Sequence, residues 1–205
     1  MEEEPLLEER LNDVFIDSKL SQQKIDYARK HLDRLKDHHF PTYEHSVRVG
    51  LYGYKYGLKD SYEPGLLLLA GLTHDTGKSK LSKEVLNRAP GEFDEKCKIE
   101  MRKHPRYSHM LLEREKELAE ISLRHHIYQH ENSYPEVQPS TDKILKYAMA
   151  VESIDFHDAN KTRVPNGKYP GNGSITDEER MNLAIKLMPK IEEVIKEFYK
   201  LVIFS

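Results

Sequence analysis

The chain has 205 residues, enough for one domain with a sizeable core or two small ones. Hydrophobic residues make up 38% and charged residues 33%, against ~45–50% and ~25% in ordinary domains. A mean hydropathy of -0.75 excludes a membrane-spanning helix, and a net charge of -3 argues against general nucleic-acid binding. A single cysteine, Cys97, excludes an internal disulfide and Cys-based zinc sites. The opening Met1-Glu2-Glu3-Glu4 is acidic where a secretory signal is basic and then apolar, so a cytoplasmic protein is expected.

In chain order, Leu6, Leu7, Leu11, Val14 and Phe15 form the stripe of a short amphipathic helix. Ser21 predicts the cap of a second, with Ile25, Ala28, Leu32 and Leu35 on its apolar face. Pro41 suits the first turn of a third helix, which carries His45, Val49 and Tyr52 on one face. Pro64 to Leu72 is apolar all round, as in a helix at the centre of a bundle, and Gly77 fits a C-cap after it. A short helix is expected over Ser82–Leu86 and another from Asp94 to about Lys103, with a restart at Pro105. Further helices are expected over Glu117–His126 and from Asp142 to about Ala159. A long loop spans Val164 to Ser174, and Thr176 with Glu179 forms a capping box for a final helix reaching about Val202. Strand signals are nearly absent, so the expected fold is all-α. With no repeat or linker, residues 41–205 read as one bundle, and residues 1–40 as helices packing on it or mediating self-association, as in a homodimer.

Histidine, at 11, is the unusual count. The apolar helix delivers Thr73-His74-Asp75-Thr76-Gly77-Lys78 at its end. Unpaired buried charges cost several kcal/mol each, roughly, so these groups need partners or a metal ion. His45 has apolar neighbours, His104 precedes a proline, His125 and His126 sit at a helix end, and Asp155 lies in a mostly apolar stretch. Taken singly, each is more often a surface or satisfied polar residue. Together they make an ordered set of imidazoles and carboxylates without a thiolate, which suits Mn²⁺, Fe²⁺, Ni²⁺ or Zn²⁺.

These motifs resemble the HD superfamily of metal-dependent phosphohydrolases, and most closely its HD-GYP branch. Glu44-His45-Ser46-Val47-Arg48-Val49 resembles the family's opening histidine helix, and His74-Asp75-Thr76-Gly77-Lys78 its His-Asp-x-Gly-Lys signature. Leu81-Ser82-Lys83-Glu84-Val85-Leu86-Asn87-Arg88, His104-Pro105, His125-His126 and Asp155-x-x-Asp158-Ala159 follow in the family's order. The spacings 45→74, 75→104 and 126→155 are each 29 residues. The resemblance implies an HD-domain helical bundle and two divalent transition metals, Fe or Mn first, with Ni or Zn as alternatives. His45, His74, Asp75 and Asp155 would hold one metal. Asp75 would bridge to another held by His104, His125 and His126, and Lys78 would contact the scissile phosphate. By the same comparison His31, His38, His39, His109 and His130 are expected at the surface, and His157-Asp158 is set aside.

The chain departs from the branch in its third signature. His125-His126-Ile127-Tyr128-Gln129-His130-Glu131-Asn132-Ser133-Tyr134-Pro135 keeps the histidines, tyrosine and proline but loses an aspartate and two glycines. Pro41 stands where members with three metals carry an acid, which favours two. Tyr134 and Arg163 are the expected substrate contacts beside Lys78. The implied reaction is hydrolysis of a phosphodiester in a nucleotide-type substrate, a cyclic dinucleotide among the candidates, by a metal-activated water. A nucleotide phosphomonoesterase, a catalytically silent nucleotide-sensing or protein-interaction module and a di-iron oxygenase are the competing readings.

Overall fold

The structure is a computed structural model and describes residues 4–88, 92–129, 133–162 and 175–205. Among them the elements are helical and no strand occurs, so the fold is all-α as expected. In order they are α1 (Glu4–Asp17), α2 (Gln22–His38), α3 (Phe40–Lys59), α4 (Pro64–Thr73) and a 3₁₀ turn (Thr76–Lys80). Next come α5 (Lys83–Leu86), α6 (Glu95–Met101), α7 (His104–Leu111) and α8 (Lys116–Arg124). After them run α9 (Asp142–Thr162), α10 (Asp177–Leu187) and α11 (Glu192–Phe198), which ends in a π turn over Tyr199–Ile203. No helix of the described residues is long and apolar enough to cross a membrane.

Local chemistry explains most of the boundaries. The Ser21 hydroxyl accepts from Lys24 N–H at the start of α2, Ser82 does the same for Val85 at α5, and Asp94 for Cys97 at α6. Pro41, Pro64 and Pro105 stand in the first turns of α3, α4 and α7, where a missing N–H costs nothing. The Thr176–Glu179 capping box opens α10. The single final helix expected from the sequence is instead broken at Met188-Pro189 into α10, a short 3₁₀ turn and α11, because Pro189 cannot continue a helical ladder.

The central helix is α4. Gly65 to Thr73 are all buried, which its all-round apolar sequence demands. It lies antiparallel to α3 along a seam of glycines. A Cβ at Gly50 would stand 2.5 Å from Leu72 Cδ2, one at Gly53 2.8 Å from Leu67 O, and one at Gly57 2.6 Å from Pro64 Cα. From the other side, a Cβ at Gly71 would lie 2.8 Å from Gly50 Cα. The two backbones therefore approach more closely than side chains would allow. Continued toward the start of α3, this register sets His45 opposite the His74-Asp75 end of α4.

The rest of the bundle closes around that pair. Leu7, Leu11 and Phe15 of α1 and Ala28, Leu32 and Leu35 of α2 lie in the same buried cluster as Val47, Val49 and Leu66–Leu69. On the other side α9 contributes Ile144, Tyr147, Val151 and Ile154, and α10 and α11 contribute Ala184, Ile195 and Phe198. Tyr52, Tyr56, Phe198, Tyr199 and His157 meet edge to face, with ring centroids 5.1–6.3 Å apart, and tie α11 to α3 and α9.

Gly71→Ala places a methyl group against the Gly50 backbone, which has no rotamer with which to yield. The expected loss is ~1–3 kcal/mol of stability, seen as a lower urea midpoint at an unchanged denaturant slope.

Candidate metal centre

The 3₁₀ turn after α4 builds the floor of the site. Helix α4 ends at Thr73, and His74 and Asp75 follow as its C-terminal residues, so the two adjacent side chains leave the helix in different directions. Gly77 is not the αL cap expected from the sequence. It lies inside the 3₁₀ turn, and glycine is required there for space, since a Cβ would fall 2.1 Å from His104 O and 2.4 Å from Ser108 N. Ser108 Oγ accepts from Gly77 N–H (2.8 Å) and donates to His74 O (2.7 Å), which fastens α7 to the turn. The first residue of α7, His104, thereby reaches the same point.

His45, His74, Asp75, Lys78, His104, His125, His126 and Asp155 all converge and are all buried. Their nitrogens and oxygens fall into three groups with mutual distances within 4.8 Å: His45–His74–Asp155, His104–His125–His126, and His74–Asp75–His125. Asp75 stands between the first two. Its Oδ1 is 3.2 Å from His104 Nε2 and 3.9 Å from His125 Nε2, while its Oδ2 is 3.5 Å from His74 Nε2 and 3.8 Å from His45 Nε2. Lys78 Nζ donates to the same Oδ2 at 2.5 Å. Tyr134 closes one side, its ring centroid 4.8 Å from that of His126 and 6.1 Å from that of His104. Arg163, and the replaced signature positions His130 and Glu131, lie outside the described residues.

The orientation of the imidazoles is set by their outer nitrogens. His74 Nδ1 donates to Gly71 O (2.7 Å), His104 Nδ1 to Met101 O (2.7 Å) and His125 Nδ1 to Ser122 O (2.6 Å). His45 Nδ1 donates to Asp158 Oδ2 (2.7 Å). Each such bond places the proton on Nδ1 and points a bare Nε2 inward. His45 Nε2, His74 Nε2 and Asp75 Oδ1 are buried without a hydrogen-bond partner. Orphaned lone pairs of this kind, converging from hard and borderline donors, fit divalent transition cations.

Electrostatics agrees with that fit. Burial pushes His104 and His126 well below the usual histidine range and His125 down to about 4, so these rings are neutral at neutral pH. Burial also opposes a charge on His74, but the Asp75 and Asp155 carboxylates outweigh it and hold that ring upward. For Asp75, burial is overcome by Lys78, His74, His104 and His45, and the carboxyl stays well below its ordinary range. Asp155 is likewise held down, against burial, by the facing imidazoles, first His45, whose Nε2 lies 2.8 Å from its Oδ1, and then His74 at 3.8 Å.

Four residues of the surroundings escaped the sequence reading. Asp158, set aside with His157 as lacking a buried helix, is fully buried, as is His157, because α9 is covered at this point by α3 and α11. Asp158 accepts from His45 and receives a two-pronged pair from Arg48, Nε to Oδ1 at 2.8 Å and Nη2 to Oδ2 at 3.2 Å. The spacing carried the signal: Arg48 and Asp158 each follow a site residue by three positions, on the same helix face. His31, expected at the surface, is 3% exposed, and its Nδ1 meets Thr76 Oγ1 at 3.0 Å. It alternates with apolar residues on the inner face of α2, which periodicity alone could have flagged.

The model of the HD domain family matches residues 42–154, more than half of the chain. The chain belongs to this family, the HD superfamily of metal-dependent phosphohydrolases. The matched span holds every converging residue named above except Asp155, which follows it directly. No curated protein matches the chain.

Asp158→Asn removes the charge that faces Arg48 and steadies His45. Affinity for Mn²⁺, measured by chelator competition, is expected to fall ~10–100-fold with helical content unchanged. A separate expectation concerns pH. Burial, with Arg34 and Lys30 adding to it, takes His31 from 6.5 down to about 4 in the folded chain. Between those values the unfolded chain binds a proton that the folded chain refuses, so stability is full above pH 6.5 and falls as pH drops toward 4. Urea midpoints of metal-free protein across this window should decline less steeply in His31→Gln; His104, His125, His126 and His157 shift in the same direction and leave a residual slope.

Proposed function

We propose that the chain is a phosphodiesterase of the HD-GYP kind, acting on a nucleotide-type substrate at a dinuclear metal centre. The observation that carries this reading is the position of Asp75, whose two carboxylate oxygens face different histidine groups. A carboxylate so placed would be able to serve a cation on each side. His45, His74 and Asp155 would complete one coordination set with Asp75, and His104, His125 and His126 the other. Iron or manganese suits this nitrogen and oxygen donor set best, with nickel or zinc as alternatives. Metals bound there would supply an activated water at neutral pH and neutralise phosphate oxygens.

The chain's own residues divide the remaining work. Asp75 fixes the separation of the two sets and stays ionised, as its depressed pKa requires. Lys78 is buried beside it, its ammonium held at the site by the 2.5 Å contact to Oδ2. From there it would meet a non-bridging phosphate oxygen and offset charge building up in the transition state. Tyr134 gives the pocket an aromatic wall next to His104 and His126, suited to a nucleotide base or sugar. Phosphoryl transfer requires mostly positioning and charge neutralisation, which this set provides without a side-chain nucleophile.

The test begins with metal analysis of protein purified without chelators. Turnover is then compared on bis-p-nitrophenyl phosphate, p-nitrophenyl phosphate and cyclic dinucleotides. Two metals per chain with diester turnover is the expected result, and Asp75→Ala should lose both metal and turnover to background while keeping its helical content. Monoester turnover alone would make the protein a nucleotidase. Neither metal nor turnover after reconstitution would leave a binding module.

A further inference from the structure

Five histidines surround the site, and four have an outer partner that accepts only. His74, His104 and His125 donate from Nδ1 to backbone carbonyls, and His45 donates to a carboxylate. His126 is different: its Nδ1 lies 2.9 Å from Nε2 of Gln129, the amide three residues on. An amide nitrogen donates, so in this arrangement the His126 proton must sit on Nε2. That tautomer has no inward lone pair. Turning the Gln129 amide by 180° exchanges two nearly isosteric groups and reverses the bond.

We propose that Gln129 is a positioning residue whose amide oxygen accepts a hydrogen bond from His126 Nδ1–H, leaving His126 Nε2 bare for the second metal. The proposal rests on the dinuclear reading above and concerns the one ligand whose tautomer a rotatable side chain decides. The inward side of His126 calls for the turned amide: its Nε2 faces Asp155 Oδ2 at 3.8 Å, and the ring forms one candidate ligand group with His104 and His125. The Gln129 side chain stands beside Glu152, whose Oε2 accepts from Tyr128 N–H (3.2 Å) while Oε1 is buried without a partner. Burial, assisted by Asp155, pushes the Glu152 carboxyl well above its ordinary range, against the Tyr128 N–H and the Gln129 side chain, which lower it. The other four rings are fixed by the main chain or by a carboxylate, so His126 alone depends on a side-chain amide. The second metal set is the adjustable one.

Mn²⁺ binding by calorimetry, with electron paramagnetic resonance to distinguish isolated from coupled ions, tests this without reference to turnover. Gln129→Met keeps the length but accepts nothing of this strength. It should weaken the second Mn²⁺ by ~10–100-fold, leave the first unchanged and lose the coupled signal. Gln129→Glu, which only accepts, should bind both ions at least as tightly as wild type. Equal weakening by both variants would mean a packing role and overturn the proposal, as would undiminished binding in Gln129→Met. A wild type that takes up one ion or none fails at the earlier step and overturns the dinuclear reading, and this inference with it. Thermal melts of the metal-free variants show whether folding contributes.

Discussion

The close contact of α3 with α4 is the constraint on which the site depends. Glycines at 50, 53 and 57 meet the backbone of α4 at Gly71, Leu67 and Pro64, and this fixes an antiparallel register with little freedom to slide. Register decides which residues face each other at the end of the seam. His45 is thereby carried to the point where α4 stops and releases His74 and Asp75. A sliding of one turn, ~5.4 Å, would separate these groups beyond any shared ligand.

A second requirement follows from placing charge at the end of a buried helix. A carboxylate with no exposure, such as Asp75, is costly unless its partners compensate. Here Lys78 and four imidazoles surround it, and the net effect favours the ionised form. The same burial keeps His104, His125 and His126 neutral at neutral pH. Charged neighbours thus keep the carboxylate ionised while burial keeps these imidazoles neutral, and both are the protonation states that bind cations.

Outside the converging groups lies a layer that aims them. Main-chain carbonyls orient three rings, the Asp158–Arg48 pair orients His45, and Gln129 faces His126. The N-terminal helices belong to this layer as well, because His31 of α2 reaches Thr76 in the floor of the site. Ser108 couples α7 to that floor through two hydrogen bonds. Changes far along the sequence can therefore act on the site without touching a ligand.

The residues that converge were legible in the sequence as an ordered set of histidines and acids at regular spacing, and so was the all-α fold. Apolar periodicity, caps and first-turn prolines act over three or four residues and are written locally, which is why most helix boundaries could be read directly. What had no local signature was decided by the tertiary structure. The burial of His31, His157 and Asp158 depends on which helix covers them, and periodicity within one helix does not name its neighbour. The need for glycine at 77 comes from His104 and Ser108, some thirty residues away. Sequence determined which groups could bind a cation, because donor chemistry belongs to single residues. Family resemblance implied a shared Asp75, but only the tertiary structure turned its two oxygens toward different histidine groups, because that is a relation among helices that meet only in the folded chain.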